Sequence, residues 1–158
     1  MSTPRKPDLI AAIGFACMRW QEAVETFDET FGRLHDLNGA ERRCLSSIVF
    51  GPQPASAIAK ATGLTPAAVT SLVDRLAARD LVRRKADLQD RRKVLVEITE
   101  HALALSAPVY GPVQQEGEKM LARYSTDELK VILKFVEEAH GMQEMLIERL
   151  AQQITKKT

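Results

Sequence analysis

Cysteine, histidine and aromatic side chains are all scarce in this chain. Its two cysteines, Cys17 and Cys44, are too few for a disulfide framework, and nothing has paired metal-ligand spacing. A reducing cytoplasm is the expected setting. The three histidines, His35, His101 and His140, are widely spaced and form no H-x-x-x-H pair, so neither a metal nor another cofactor is expected. No apolar run is long enough to span a membrane as a helix. Arg5 and Lys6 do precede "LIAAIGFACM". That run is short, Asp8 interrupts its approach, and no small-x-small cleavage site follows, so it reads as part of a helix rather than an export signal. A local Ser/Cys–His–acid constellation, a phosphate loop and paired acids in a pocket are all missing, and an enzyme is not expected. There is no internal repeat and no low-complexity tract.

Net charge is missing too, but only on average. The 158 residues carry a formal +1. Residues 75–93 hold 8 basic and 3 acidic side chains, a local +5, while the segments on either side are net acidic. Within that block, "RRKADLQDRRKV" at 83–94 has Arg or Lys at six of twelve positions. Such a block is a candidate phosphate-binding surface. By itself it would read as a solvated loop.

What is present in quantity is helical periodicity. Ile10, Ile13, Cys17, Trp20, Val24, Phe27, Phe31 and Leu34 recur in steps of three and four, a coiled-coil-like seam on a helix over 8–35. Phe15 and Met18 widen its apolar face. Asn38 with Glu41 three residues on signals a second helix that stops at "GPQP". A short helix over 55–61 reaches Gly63. Thr65 then caps another, with Pro66 at its first position. Val69, Leu72, Val73 and Leu76 form its inward stripe; Ala67, Thr70, Ser71, Asp74 and Arg75 face the other way. Ala59, Gly63 and Val69 give the A-x3-G-x5-V spacing of a helix-turn-helix: a small residue at the crossing, a left-handed turn, a packing residue.

Two β-prone runs, "LVRRK" and "VLVEIT", flank a polar connection of hairpin length. Helix-turn-helix followed by hairpin is the winged-helix order. From Thr99 the chain is helical again, with a kink or break expected near Pro108 and Pro112. Ser125 and Glu128 have capping-box spacing and open a last helix with two apolar stripes, one through Leu129, Ile132, Val136 and Ala139, the other through Val131, Phe135, Met142 and Met145. Two apolar faces suggest packing on the same chain and on a partner. The fold class expected is mainly α with a small β-hairpin wing. A winged helix-turn-helix occupies 38–98, and a helical dimerisation region is built from 1–37 and 99–158.

On these residues the chain resembles the MarR family of winged helix-turn-helix transcriptional regulators over nearly its whole length. "LTPAAVTSLVDRLAARDLVRR" looks like the family's recognition helix and its exit into the wing. "DRRKVLVEIT" matches its wing pattern D-x-R-x3-V-x-(L/I)-T through Asp90, Arg92, Val96, Ile98 and Thr99. Where the family usually has Gly before the Leu-Val of the wing, this chain has Asp80, which tolerates a left-handed backbone better than most residues. The resemblance implies a cytoplasmic homodimer, a repressor by expectation, that binds double-stranded DNA at a pseudo-palindromic operator with one recognition helix per half-site.

Roles follow from that implication. Thr65 and Pro66 set a helix N-terminus able to hold a phosphate. Ala67, Ala68, Thr70 and Ser71 face the major groove, and Arg75 reaches a phosphate or base edge. Arg92, oriented by Asp90, enters the minor groove. Arg83, Arg84, Arg91 and Lys93 supply backbone contacts.

The resemblance also implies release by a small aromatic or acidic effector, for which Phe15, Arg19 and Trp20 on the first helix are candidates; Arg19 could pair a carboxylate. Some members of the family sense oxidants through a first-helix cysteine, an alternative that would use Cys17. Its seam position between Ile13 and Trp20 favours core packing instead. A winged-helix protein-interaction module is the other alternative, though it would not need the basic wing.

Overall fold

A computed structural model describes residues 4–87 and 93–155. It divides into two compact units, Met1–Val109 and Tyr110–Thr158. In the first unit, α1 (Lys6–Leu34) leads to α2 (Gly39–Ile48), β1 (Gln53–Pro54), α3 (Ala55–Thr62), α4 (Pro66–Ala78), β2 (Val82–Ala86) and β3 (Val94–Ile98). Helix α5 (Glu100–Leu121) begins in the first unit and ends in the second, which also holds α6 (Thr126–Thr155).

Local chemistry explains most boundaries. Asn38 Oδ1 accepts from the N–H groups of Ala40 and Glu41, and Glu41 Oε2 accepts from Asn38 N, all at 3.0 Å, a complete capping box for α2. The same device opens α6. Glu128 Oε2 accepts from Ser125 N at 2.8 Å, and Ser125 Oγ accepts from Glu128 N at 3.3 Å. These bonds to Ser125, the backbone one foremost, hold the Glu128 carboxyl below its usual range.

The core lies in the first unit. Cys44 and Ile48 of α2, Ile58 of α3, and Val69, Leu72, Val73 and Leu76 of α4 meet Leu81 just before β2, Val82 and Val96 of the sheet and Ala102 of α5. Phe31 packs on this cluster from α1. Burial, with a smaller contribution from Glu41, raises the Cys44 thiol to about 11, so it remains a protonated packing group. Gly32 is needed where α1 meets α2: a Cβ there would stand 2.7 Å from Arg42 Cδ and 2.8 Å from the carbonyl oxygen of Leu37.

Two features depart from the sequence reading. The hairpin has a third member: β3 pairs antiparallel with β2 on one side and with β1 on the other, Gln53 opposite Val96. And α5 runs on through Pro108 and Pro112 without the expected break. Each proline costs one backbone bond and crowds the carbonyl four residues earlier. Ala104, Pro108 and Pro112 are all exposed and fall on one helix face, so water can satisfy the freed carbonyls while the flanking turns continue the helix.

Candidate nucleic-acid interface

The helix-turn-helix forms as its spacing predicts. Gly63 ends α3 at φ +71, and its N–H donates to the Ala59 carbonyl at 2.8 Å. Thr65 then caps α4: its Oγ1 accepts from Ala68 N at 3.3 Å and its carbonyl from Val69 N at 2.9 Å. Pro66 occupies the first turn, where a missing N–H costs no bond. One face of α4 is fixed in the core by Val69, Leu72, Val73 and Leu76.

The first two turns of the opposite face carry only short side chains. Ala67, Thr70, Ser71 and Asp74 are exposed, and Ala68 is half-buried. Thr70 Oγ1 donates to the Pro66 carbonyl at 3.1 Å and Ser71 Oγ to the Ala67 carbonyl at 3.3 Å. Both hydroxyl hydrogens are therefore spent inside the helix, which leaves the oxygens as outward acceptors. This is a surface that lets another molecule approach closely and accepts hydrogen bonds from it.

The basic block is arranged differently from a row of free cations. Arg83 and Lys85 of β2 both reach Glu97 on β3. Arg83 Nε donates to Oε1 at 2.5 Å, and Lys85 Nζ to Oε2 at 3.2 Å. The register places Arg83 directly opposite Glu97, so the pairing is a cross-strand one. The hydrogen bond from Arg83, then that from Lys85, depresses the Glu97 carboxyl, and Glu97 in turn raises the Arg83 guanidinium. Arg84 lies on the other face of the strand and donates to Asp74 of α4 at 2.7 Å, which ties hairpin to helix. Arg75 donates through Nε to Glu41 Oε1 at 3.4 Å while more than half its side chain stays exposed.

Of the residues singled out from sequence, Thr65, Pro66, Ala67, Ala68, Thr70, Ser71 and Arg75 thus share α4 and its cap, with Arg84 joined to them through Asp74. Lys93 stands at the hairpin's return, where its carbonyl accepts from Asp87 N at 3.0 Å. Asp90, Arg91 and Arg92 lie outside the described residues. Sequence reasoning passed over Glu97 as a partner, though its place opposite Arg83 follows from the strand alternation once the register is known. It also passed over Arg79.

The effector candidates Phe15, Arg19 and Trp20 sit on the exposed part of α1, with Phe15 and Trp20 more than 60% accessible (63% and 62%). A shallow cleft lies elsewhere on the same unit, lined by Glu25, Glu29, Arg33 and Arg42 among others, and includes none of the three. Cys17 is half-buried on α1. Among the described residues no group of three or more His, Cys, Asp or Glu side chains could hold a metal ion, and no helix is long and apolar enough to cross a membrane.

Comparison with known proteins follows the same geometry. The sequence profile described as MarR family matches residues 35–93, from the end of α1 to the hairpin's return. The uncharacterized HTH-type transcriptional regulator YcgE of Bacillus subtilis is 33% identical over 102 residues, 65% of this chain and 66% of that protein. The HTH-type transcriptional regulator MhqR of the same organism is 30% identical over 98 residues, 61% of this chain and 68% of that protein. The chain belongs to the MarR family. A solved MarR-family structure from Bacillus stearothermophilus superposes with a TM-score of 0.62 over 90% of this chain and 99% of its own, at 17% identity, which shows a shared fold. The alignments span about two thirds of the length of the two B. subtilis regulators.

Proposed function

We propose that this MarR-family chain is a sequence-specific, double-stranded-DNA-binding transcriptional regulator that acts in the cytoplasm as a homodimer on a pseudo-palindromic operator. Repression, relieved by a small aromatic or acidic effector, is the mode this reading favours. The observation that carries it is the α4 surface. One face is locked in the core, and the N-terminal part of the other offers methyl groups and hydroxyl acceptors, with a hairpin fixed beside it by the Arg84–Asp74 pair. That shape suits insertion into a major groove, where short side chains read by methyl contact, hydroxyl bonds and water.

Ala67, Ala68, Thr70 and Ser71 are the proposed groove-facing residues, with Thr65 and Pro66 holding a phosphate at the helix start. Arg84, Arg91 and Lys93 would contact phosphates. Arg75, Arg83 and Arg84 each have a carboxylate partner in the free chain, so a phosphate contact from any of them would have to compete with that pair. Asp90 and Arg92 are the proposed minor-groove pair. The homodimer draws on the apolar seam of α1, much of which is exposed in the single chain.

In vitro selection from a random duplex pool tests the reading: a palindrome with half-sites about one helical turn apart should be enriched. Arg92→Ala should then weaken binding to that site by about 1–3 kcal/mol and lower its salt dependence. A pool from which nothing is enriched would refute DNA recognition and favour a protein-binding module.

A further inference from the structure

Arg79 is the C-cap residue of α4, and its guanidinium reaches across to the end of α1. Its Nη2 donates to the His35 carbonyl at 2.6 Å and its Nη1 to the Asp36 carbonyl at 2.9 Å. These are carbonyls at the end of α1, where intrahelical partners run out. Asp36 has a left-handed backbone, φ +50, which turns the chain so that two successive carbonyls face one planar fork. The positive charge also sits at the negative end of the α1 dipole.

One helical turn earlier, Arg75 reaches the other end of the same corner. Its partner Glu41 is nearly buried, with Oε2 on the backbone N–H of Asn38 and Oε1 facing Arg75. Two arginines on successive turns of α4 thus grip the corner between α1 and α2 at residues 35–41. On the far side of Arg79, Asp80 is left-handed as well, φ +55, and its carbonyl accepts from the buried Thr99 Oγ1 at 2.6 Å. The corner before α2 and the corner before the hairpin therefore meet at Arg79.

We infer that Arg79, assisted by Arg75, is a positioning residue that ties the end of α1 to the end of α4 and so sets how α4 is presented to DNA. This rests on the DNA-binding reading above. It also gives α1, the proposed dimer helix, a direct mechanical connection to the groove-facing helix, because a movement of the α1 end pulls on the two carbonyls that Arg79 holds.

The test compares Arg79→Ala and Arg79→Lys with Arg92→Ala in the full chain. Binding is measured to the selected duplex and to a random duplex, across a series of salt concentrations. Arg79→Ala should weaken specific binding about tenfold, leave random-duplex binding near wild type, and keep the wild-type salt slope, since no phosphate contact is lost. Arg79→Lys, able to hold one carbonyl, should recover part of the loss. Arg92→Ala should instead lower the slope by about one.

A mere loss of stability reduces the active fraction without moving the ratio of the two dissociation constants. If Arg79→Ala lowers the salt slope, Arg79 is a phosphate contact and the inference is wrong. Amide hydrogen exchange on the free protein provides a readout that needs no DNA. His35, Leu37, Asp80 and Leu81 should exchange faster in both Arg79 variants, and unchanged rates would overturn the latch. Should the wild type bind no DNA, the functional reading and the positioning role fall together, while exchange still decides whether the latch exists. If the alanine variant does not fold, the lysine variant carries the same measurements.

Discussion

The helix-turn-helix and the long helix α1 are built from similar apolar stripes and put them to opposite uses. Val69, Leu72 and Leu76 of α4 are fully buried. Ile10, Ile13, Trp20 and Val24 of α1 remain about half exposed or more. The first stripe closes a core within its own unit, whereas the second leaves a seam whose burial would need another surface. A seam of this length is too costly to leave in water, and the proposed homodimer gives it a partner. With that homodimer, stability and assembly would reside in separate helices, so they should respond separately to substitution.

The largest effect should come from breaking the buried stripe. Leu72→Ala removes a fully buried side chain from the middle of α4 and should cost about 2–5 kcal/mol. Urea unfolding followed by circular dichroism would measure it as a lower midpoint with little change in slope. A loss well under that range would mean that the core around α4 collapses into the gap. Ile13→Asp strikes the exposed seam instead. It should weaken dimerisation by about 2 kcal/mol or more, by placing a charge in the proposed apolar interface, and leave the unfolding of the helix-turn-helix close to wild type. Sedimentation equilibrium reads the first quantity. A variant that stays as dimeric as the parent would show that this part of α1 is not the interface.

Much of the first unit was legible because its signals are short-range. Asn38 with Glu41, Thr65 with Pro66, and the Val69–Leu76 stripe each act within one or two helical turns, and each forms the cap or face its spacing predicts. What escaped the sequence depends on distant partners. Strand β1 is two residues long and exists only because Gln53 and Pro54 meet Val96 and Leu95. Arg79 bonds to backbone carbonyls more than forty residues away, and a carbonyl has no residue identity to recognise. The basic block reads as free charge in a linear count, yet the fold sets Glu97 and Asp74 against three of its members. Pro108 and Pro112 mislead in the other direction: a rule about lost bonds does not say whether water stands ready to replace them.

The smallest effect concerns the turn that joins α4 to the hairpin, within the closed region. Asp80 holds φ +55 with a Cβ in place, where most L residues lose about 1–2 kcal/mol and Asp rather less. Both backbone groups are engaged, its N–H with the Ala77 carbonyl at 2.9 Å and its own carbonyl with Thr99 Oγ1. Asp80→Gly keeps both bonds and relieves the Cβ crowding, but it loosens the unfolded chain by about 0.4–1 kcal/mol. The two terms nearly cancel, so the net change should be a few tenths of a kcal/mol, in either direction, and Tm should shift by no more than a degree or two. Asp80→Val is the sharper arm of the test. A β-branched side chain cannot relieve the crowding, so it should lose at least about 1 kcal/mol relative to the glycine variant. Calorimetry on both would settle the point: equal melting temperatures for Gly and Val would mean the turn relaxes out of the left-handed region, and that this corner is less firmly closed than the core beneath it.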